Sequence, residues 1–476
     1  MHSSEQDQDG KSSTMAGAMG RTLFDRIWDS HVVSRRLDGR TLVYMDRHVI
    51  HDLHAPHAFR MLEATGRPVR RPDLTIAVTD HMVSTLATRG RDTNPEAVPF
   101  IQQIEAGTQR YGIRLFGLDD PAQGIVHVVA PELGVALPGA TLACPDSHVC
   151  TVGALGTLGF ATGTTEVAHV LATQTLATKP AKQMRVVLNG ALQAGVTAKD
   201  VIMFLIGHLG SDAAKSHAVE YAGPVITAMP VEARMTLCNM TTELGGRTAI
   251  IAPDDAVATW LQARRYAPEG AEWDTAAASW AALRTDADAK FDIDVTVDCA
   301  TLEPQVTWGI DPAHVVAVGG RVPMDGPARA MDYMGLQPGM AMTDLTVNRV
   351  FIGSCTNGRI SDLRAAAAIA AGRHVAPGVQ AAIVPGSSAV RREAEAEGLD
   401  RIFIQAGFEW RQSGCSMCAG LNGENGLPGE RVVSTTNRNF VGRQGAGVRT
   451  HLASPESAAA AAVTGRFTDP RTLAHA

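Results

Sequence analysis

Three cysteines constrain this chain more than any other feature. Cys355 sits in Gly353-Ser354-Cys355-Thr356-Asn357, and Cys415 and Cys418 sit in Gly414-Cys415-Ser416-Met417-Cys418. Three thiolates can hold three corners of a cubane iron–sulfur cluster and leave the fourth iron open as a Lewis acid rather than an electron carrier. Electron-carrying clusters usually take four cysteines, and structural zinc needs four closed positions. The Cys415/Cys418 spacing alone equally suits a redox dithiol or a zinc knuckle. Cys355 and its loop strengthen the cluster reading. The other four of the seven cysteines, Cys144, Cys150, Cys238 and Cys299, are loosely spaced and read as small buried hydrophobes. The apolar run Val347 to Ile352 ahead of Cys355 reads as a strand, and Asp362 with the alanine-rich stretch after it as a helix start.

Similar apolar runs recur at Leu74 to Val78, Gly124 to Ala130, Met184 to Leu188, Ala381 to Val384 and Arg401 to Gln405, separated by alanine-rich helical stretches. This alternation predicts parallel strands covered by helices, an α/β protein. A length of 476 residues allows about three domains. Gly/Pro punctuation near Pro180 to Met184 and near Trp308 to Pro312 predicts units 21–183, 184–312 and 313–476, after a flexible polar tail, 1–20. Ala458 to Ala462 reads as a plain surface helix.

The uncharged stretch Ser147 to Thr165 approaches the ~20 residues of a membrane span. Its Gly and Thr content and His148 mark it instead as an active-site loop leading into a helix. Met1 to Gly20 lacks the apolar centre of a signal peptide, and with unpaired cysteines the cytoplasm is the expected compartment. A net charge of -7 without any basic block leaves no electrostatic footprint for nucleic acid. A small anion would have to be met by placed arginines and a metal.

Further motifs accompany the cysteines: Met45-Asp46-Arg47-His48, Thr79-Asp80-His81, Gly124-Ile125-Val126-His127, Asp146-Ser147-His148, Leu237-Cys238-Asn239-Met240 and Asn437-Arg438-Asn439-Phe440-Val441-Gly442-Arg443. Together, in this order, they resemble the large subunits of the isopropylmalate isomerases of the aconitase superfamily, from about Thr22 to about Thr468. The resemblance implies an aconitase-like fold, three α/β/α domains with mainly parallel sheets around a cluster cleft. It implies one 4Fe-4S cluster with an open fourth iron, held by Cys355, Cys415 and Cys418. The implied reaction is dehydration and rehydration of a small dicarboxylate, interconverting 2- and 3-isopropylmalate through isopropylmaleate in leucine biosynthesis. The alternative is a paralogous hydro-lyase acting on homoaconitate, citramalate or another substituted malate.

Such an isomerisation needs a proton taken from carbon, a hydroxide expelled from the neighbouring carbon, and two carboxylates held still. The Asp80-His81 pair follows the strand-like Leu74 to Val78, at the strand end where α/β sheets place their sites. The resemblance assigns His81 to the acid side, and an adjacent carboxylate favours the charged imidazole. By the same resemblance Asp146, Ser147, His148 and His127 surround the cluster. Asn239 hydrogen-bonds near it, and Glu243 joins the acid–base network. Asn239 and Glu243 are spaced i, i+4 on an expected helix and can point the same way. His51 occupies a substrate-binding position. Asn437, Arg438 and Arg443 form the carboxylate grip, for which a guanidinium fork is better suited than a lysine.

The chain departs from the family pattern at Pro145, Val149, Val152 and Leu155 around Asp146, at His54 and His57, and at Gly358 where Ser is usual. These departures bear on which substituted malate is used. Aconitases complete their site with a fourth, swivelling domain carrying the serine base and a further arginine. Only 36 residues follow Phe440, below the ~50 a minimal domain needs. A separate small subunit is therefore expected to close a cleft left open on one face.

Overall fold

Runs that are apolar at successive positions become strands buried on both faces. Thr75–Val78, Thr141–Cys144 and Arg431–Ser434 are buried at every position, as parallel sheets sandwiched by helices require. The computed structural model describes residues 20–473. The expected flexible tail therefore lies, apart from Gly20, outside the described residues. Among them no helix is long and apolar enough to cross a membrane.

Three parallel sheets organise the chain. The first contains β1 (Arg47–His51), β2 (Thr75–Val78), β3 (Arg114–Phe116), β4 (Thr141–Cys144) and β5 (Leu158–Ala161), in the order β3-β2-β1-β4-β5. The second contains β6 (Lys182–Asn189), β7 (His217–Ala222), β8 (Thr248–Ile250) and β9 (Ile293–Asp298), in the order β8-β7-β6-β9. The third contains β10 (Arg349–Ile352), β11 (Gln380–Ile383), β12 (Glu409–Trp410), β13 (Arg431–Ser434) and β14 (Arg449–Leu452), in the order β12-β11-β10-β13-β14. In each sheet the order reverses at the first strand in sequence, β1, β6 or β10. Loops leaving the carboxyl end on either side of such a reversal diverge and open a crevice, where sheets of this kind place ligands. Smaller antiparallel pieces, Val32–Arg35 with Thr41–Tyr44 and Thr175–Thr178, and Gln305–Thr307 with Val315–Ala317, flank these sheets.

Three expectations are overturned. Gly124 to Ala130 is no strand: Val126–Glu132 is a helix. Val126 to Pro131 are all buried, so the run carries no periodicity to separate helix from strand. Arg401 to Gln405 lies within the helix Leu399–Ala406, whose buried Leu399, Phe403 and Ala406 keep helical spacing. The helix Pro455–Thr464 is not a surface helix, because Ala458 to Ala462 are all 0% exposed. It shares a core with Leu363, Ala366 and Ala367 of the helix Ile360–Ala370. Alanine serves there because two helices meet too closely for larger side chains.

Ala460→Leu should therefore lower stability by about 1–3 kcal/mol through overpacking, read as a fall in the urea midpoint at unchanged slope. On a solvent-facing helix the same change would be nearly neutral.

Candidate active site

Loops at the carboxyl ends of strands in the first and third sheets supply most of the site. His51 ends β1 and Asp52 follows it; Asp80 and His81 follow β2; Asp146 follows β4. From the third sheet, Cys355 follows β10, and Asn437 and Arg438 follow β13. Asn239 ends the helix Val231–Asn239; a 3-10 turn, Met240–Thr242, then carries the chain to Glu243. The pair expected on one continuous helix thus straddles a tightened helix end, and Glu243 still reaches the site.

His81 is bracketed by acids. Its Nδ1 donates to Asp80 Oδ1 at 2.6 Å, and its Nε2 lies 3.5 Å from Asp146 Oδ2. Burial opposes charge on this imidazole, but Asp80, Asp146 and Asp52 outweigh burial and hold its pKa well above the ordinary value. Asp146 Oδ1 accepts from His127 Nε2 at 2.8 Å, from the His148 backbone N–H at 2.7 Å and from His148 Nδ1 at 3.3 Å. Burial would raise this carboxyl, but His127 first, and then His148 and His81, hold it well below the usual range. His148 donates from Nε2 to Glu243 Oε1 at 3.0 Å as well, so both ring nitrogens donate and the ring is an imidazolium. Despite burial, Glu243 and Asp146 push its pKa up to about 9.

His51 behaves in the opposite way. Its Nε2 donates to Pro145 O at 3.2 Å and its ring stacks on His81 at 4.3 Å between centroids. Burial, then the neighbouring His81, lower its pKa to about 3, so it stays neutral. His51, Asp52, Asp80 and His81 bring potential ligand atoms within 4.8 Å of one another. Hydrogen bonds already occupy the two carboxylates. Asp52 accepts the backbone N–H groups of His81 and Met82 at 3.2 and 3.0 Å, and Asp80 Oδ2 accepts that of Val126 at 3.0 Å. The group is a proton-holding network rather than a metal cage.

The three cysteines of the sequence motifs are each 7% exposed. Asn437 spans two of them: its Nδ2 donates to Cys355 Sγ at 3.6 Å, and its Oδ1 accepts from Cys418 Sγ at 3.9 Å. Asn239 Nδ2 adds a second donor to Cys355 Sγ at 3.2 Å. Cys415 joins them to the first sheet through its backbone N–H, which donates to Asp80 O at 3.0 Å. Burial, with Cys418 next, raises the Cys355 thiol; burial, with Asp80, Cys418 and Cys355, raises Cys415 well above the ordinary value. Buried thiols that repel one another as thiolates, with amide N–H donors aimed at sulfur, suit a soft cationic centre. The residues present therefore fit an iron–sulfur cluster. Cys150 is engaged elsewhere, donating to Asn239 O at 3.2 Å.

Two of the five left-handed non-glycine residues among the described residues lie in the same two loops. Ser354 and Ser416, each next to a cysteine, have φ of 73° and 49°. Left-handed backbone at a non-glycine residue costs of order 1–3 kcal/mol and persists where surroundings enforce it. Arg438 donates from Nε to Glu243 Oε1 at 2.8 Å and from Nη2 to Ser147 Oγ at 2.9 Å, so the expected carboxylate fork is already braced. Neither bond uses Nη1. Arg443 has its Nη2 3.9 Å from Cys418 Sγ, and its buried Nε has no partner among the described residues.

The departures at Val149, Val152 and Leu155 are all at most 1% exposed and belong to the hydrophobic core. Gly358 also has a steric reason: a Cβ there would lie 2.8 Å from Ser354 O, leaving no room for Ser. Sequence reasoning missed three residues. Asp52 fixes the His81 backbone. Lys199 is fully buried and donates from Nζ to Thr435 O and Thr436 O at 2.8 and 2.6 Å, just ahead of Asn437. Glu424 accepts from Ser84 Oγ and the Thr85 backbone N–H at 2.9 and 2.6 Å, from Ser416 Oγ at 2.7 Å and from Arg411 at 3.2 Å. Asp52 beside His51, and Glu424 six residues past Cys418, were the available signals; nothing in the local sequence marks Lys199.

Residues 25–465 match the aconitase family (aconitate hydratase), and the chain belongs to that family. Among individual proteins it is similar to the 3-isopropylmalate dehydratase large subunit 1 of Bradyrhizobium diazoefficiens, with 51% identity over 464 residues, 95% of this chain and 97% of the relative. The holo-form crystal structure of Thermococcus kodakaraensis aconitase X matches 84% of each chain at 11% identity, with a TM-score of 0.46.

Glu424→Ala should cost about 1–3 kcal/mol, since it leaves buried hydroxyl and backbone N–H donors without their acceptor, while Arg411 keeps its pair with Glu409. Urea unfolding would measure the loss. Thiol-reagent labelling should show Cys415 and Cys418 reacting faster than in the parent chain.

Proposed function

We propose that this chain is the catalytic large subunit of a 3-isopropylmalate dehydratase, a hydro-lyase that interconverts 2- and 3-isopropylmalate by dehydration and rehydration. The observation that carries this reading is the convergence of Cys355 and Cys418 on Asn437, beside Arg438 and the His81–Asp146 network. The relative that is 51% identical supports the choice of substrate over other substituted malates.

Cys355, Cys415 and Cys418 would hold one 4Fe-4S cluster. When bound, the cluster supplies an open iron, a Lewis acid for the substrate hydroxyl and one carboxylate. The chain's own groups do the rest. Asn239 and Asn437 orient Cys355 Sγ by N–H donation. His81, kept charged by Asp80, holds at Nε2 the proton that a departing hydroxyl needs. Asp146 and His127 fix the face of that ring, and His148 links Asp146 to Glu243. Arg438 Nη1, Arg443 and Ser147 meet substrate carboxylates, with neutral His51 stacked behind His81. The three parallel sheets support three units close to 21–183, 184–312 and 313–476, although the strand Lys182–Asn189 crosses the first bound and the pairing of Gln305–Thr307 with Val315–Ala317 crosses the second. The relative is called a large subunit, which supports a separate small subunit as partner. The free cysteines support a reducing, cytoplasmic setting.

After anaerobic reconstitution, Cys355→Ser, Cys415→Ser and Cys418→Ser should each lose the cluster absorbance, while Cys150→Ser keeps it. A full cluster in Cys355→Ser would refute the ligand set. The reconstituted chain alone should show no turnover of 2-isopropylmalate, followed by isopropylmaleate absorbance, until a small subunit is added. In the complex, His81→Asn should lower kcat by ~100- to 10,000-fold; unchanged turnover would assign the acid to another residue.

A further inference from the structure

One buried charge lies next to the cysteine site without an anionic partner of its own. Outside the carboxyl end of β6 is a cavity of about 400 Å³, closed by the starts of the helices Ile360–Ala370 and Pro455–Thr464 and lined mostly by aliphatic side chains such as Leu192, Val225 and Met229. Lys199 is also in this lining. It has no exposed surface, and its Nζ donates to Thr435 O and Thr436 O at 2.8 and 2.6 Å. It stands in the first turn of the helix Ala198–Leu209, after the cap Thr197, where a cation opposes the helix dipole. Among the described residues the only lysine in an ion pair is Lys215, with Asp212. Asp200, next in sequence, is turned to Thr197 Oγ1 and to the Gln305 backbone N–H at 2.8 Å. A buried ammonium hydrogen-bonded only to neutral carbonyls costs several kcal/mol, so its counter-charge must come from elsewhere in the centre.

The carbonyls that Lys199 holds belong to the segment that braces the thiols. Thr435 exchanges two hydrogen bonds with Gly353, two residues before Cys355: its Oγ1 accepts from the Gly353 N–H at 2.9 Å and donates to Gly353 O at 3.0 Å. Asn437 follows, reaching both Cys355 and Cys418. Burial lowers the Lys199 pKa to about 7, and the charges that resist this fall are Glu243, Asp362 and, as thiolates, Cys418 and Cys355. Glu243 is already matched by His148 and Arg438, and Arg359 offsets Asp362. The thiols are left. Burial raises the free Cys355 and Cys415 thiols and keeps them neutral, but sulfur must be a thiolate to hold a metal. Loading the site therefore creates negative charge beside the segment that the unmatched ammonium grips.

We propose that Lys199 is a positioning residue of the cluster site: its two hydrogen bonds set Asn437 against Cys355 and Cys418, and its ammonium is the counter-charge for the thiolates that Cys355, Cys415 and Cys418 become on binding the cluster. This role rests on the reading of those three cysteines as cluster ligands. It makes the second unit, which supplies no cysteine ligand, a contributor to cluster retention.

Lys199→Met keeps nearly the same volume without the charge, and Lys199→Gln also keeps N–H donors. Each full chain, reconstituted anaerobically, should take up the cluster but surrender its iron at about tenfold lower chelator concentration than the parent, the scale of one partly buried charge interaction. The rise in melting temperature on loading should be smaller than in the parent. The midpoint potential, read by EPR of the reduced cluster, should move to lower values, because the added electron has lost a positive neighbour. A lysine that only satisfied carbonyls would change the melting temperature equally with and without the cluster and leave the potential in place. An unchanged rise and potential in either folded variant would overturn the role. So would loss of the folded chain before loading in both variants, which would make Lys199 a residue of the fold alone. If the parent itself takes up no cluster, the ligand reading fails and this role with it; a loaded parent with unchanged variants sinks this role alone.

Discussion

Burying ionisable groups in close pairs is the constraint on which the rest of this structure depends. Asp80, Asp146 and Glu243 would each be costly alone in the interior, where an unpaired charge costs several kcal/mol. Each is matched to an imidazole or guanidinium: Asp80 to His81, Asp146 to His127 and His148, Glu243 to His148 and Arg438. The two Glu243 pairs cross between units, so the polar centre also fixes how these units meet. Arg438, from the loop after β13, reaches Ser147, just after β4, and Glu243, beyond the end of the second unit's helix.

The same constraint separates two kinds of histidine a single ring apart. His81 sits between carboxylates and is held charged, whereas His51, stacked on it, faces a carbonyl and a positive neighbour and is held neutral. An acid poised to give a proton and a neutral ring behind it arise from environment alone. The thiols follow a related logic: buried, mutually repelling as thiolates and furnished with amide donors, they form a site that a cationic iron centre would complete.

The three reversal strands suggest how one architecture can carry two pockets. The first and third sheets converge on the cysteines, and the second opens behind them, with Lys199 joining the two by holding the carbonyls just before Asn437. The helix Pro455–Thr464, packed through Ala458 to Ala462, starts at that second opening, where Glu456 is a lining residue.

What the sequence determined by itself is local. Apolar runs such as Val347 to Ile352 and Ala381 to Val384 become strands, and the cysteine loops, Asp80-His81 and the Asn437–Arg443 loop all lie at or beside the centre. Continuous hydrophobicity marks a buried strand well, yet it misled at Gly124 to Ala130, because a helix buried all round carries the same signal. The burial of Ala458 to Ala462 was hidden as well, since alanine is at home both on surfaces and in tight helix crossings. Tertiary structure decided which partners meet across long stretches of chain. Lys199 finds carbonyls 236 and 237 residues away, and Glu424 finds Thr85 339 residues away. Such contacts leave no local pattern, because they depend on where the carboxyl ends of separate sheets come to lie.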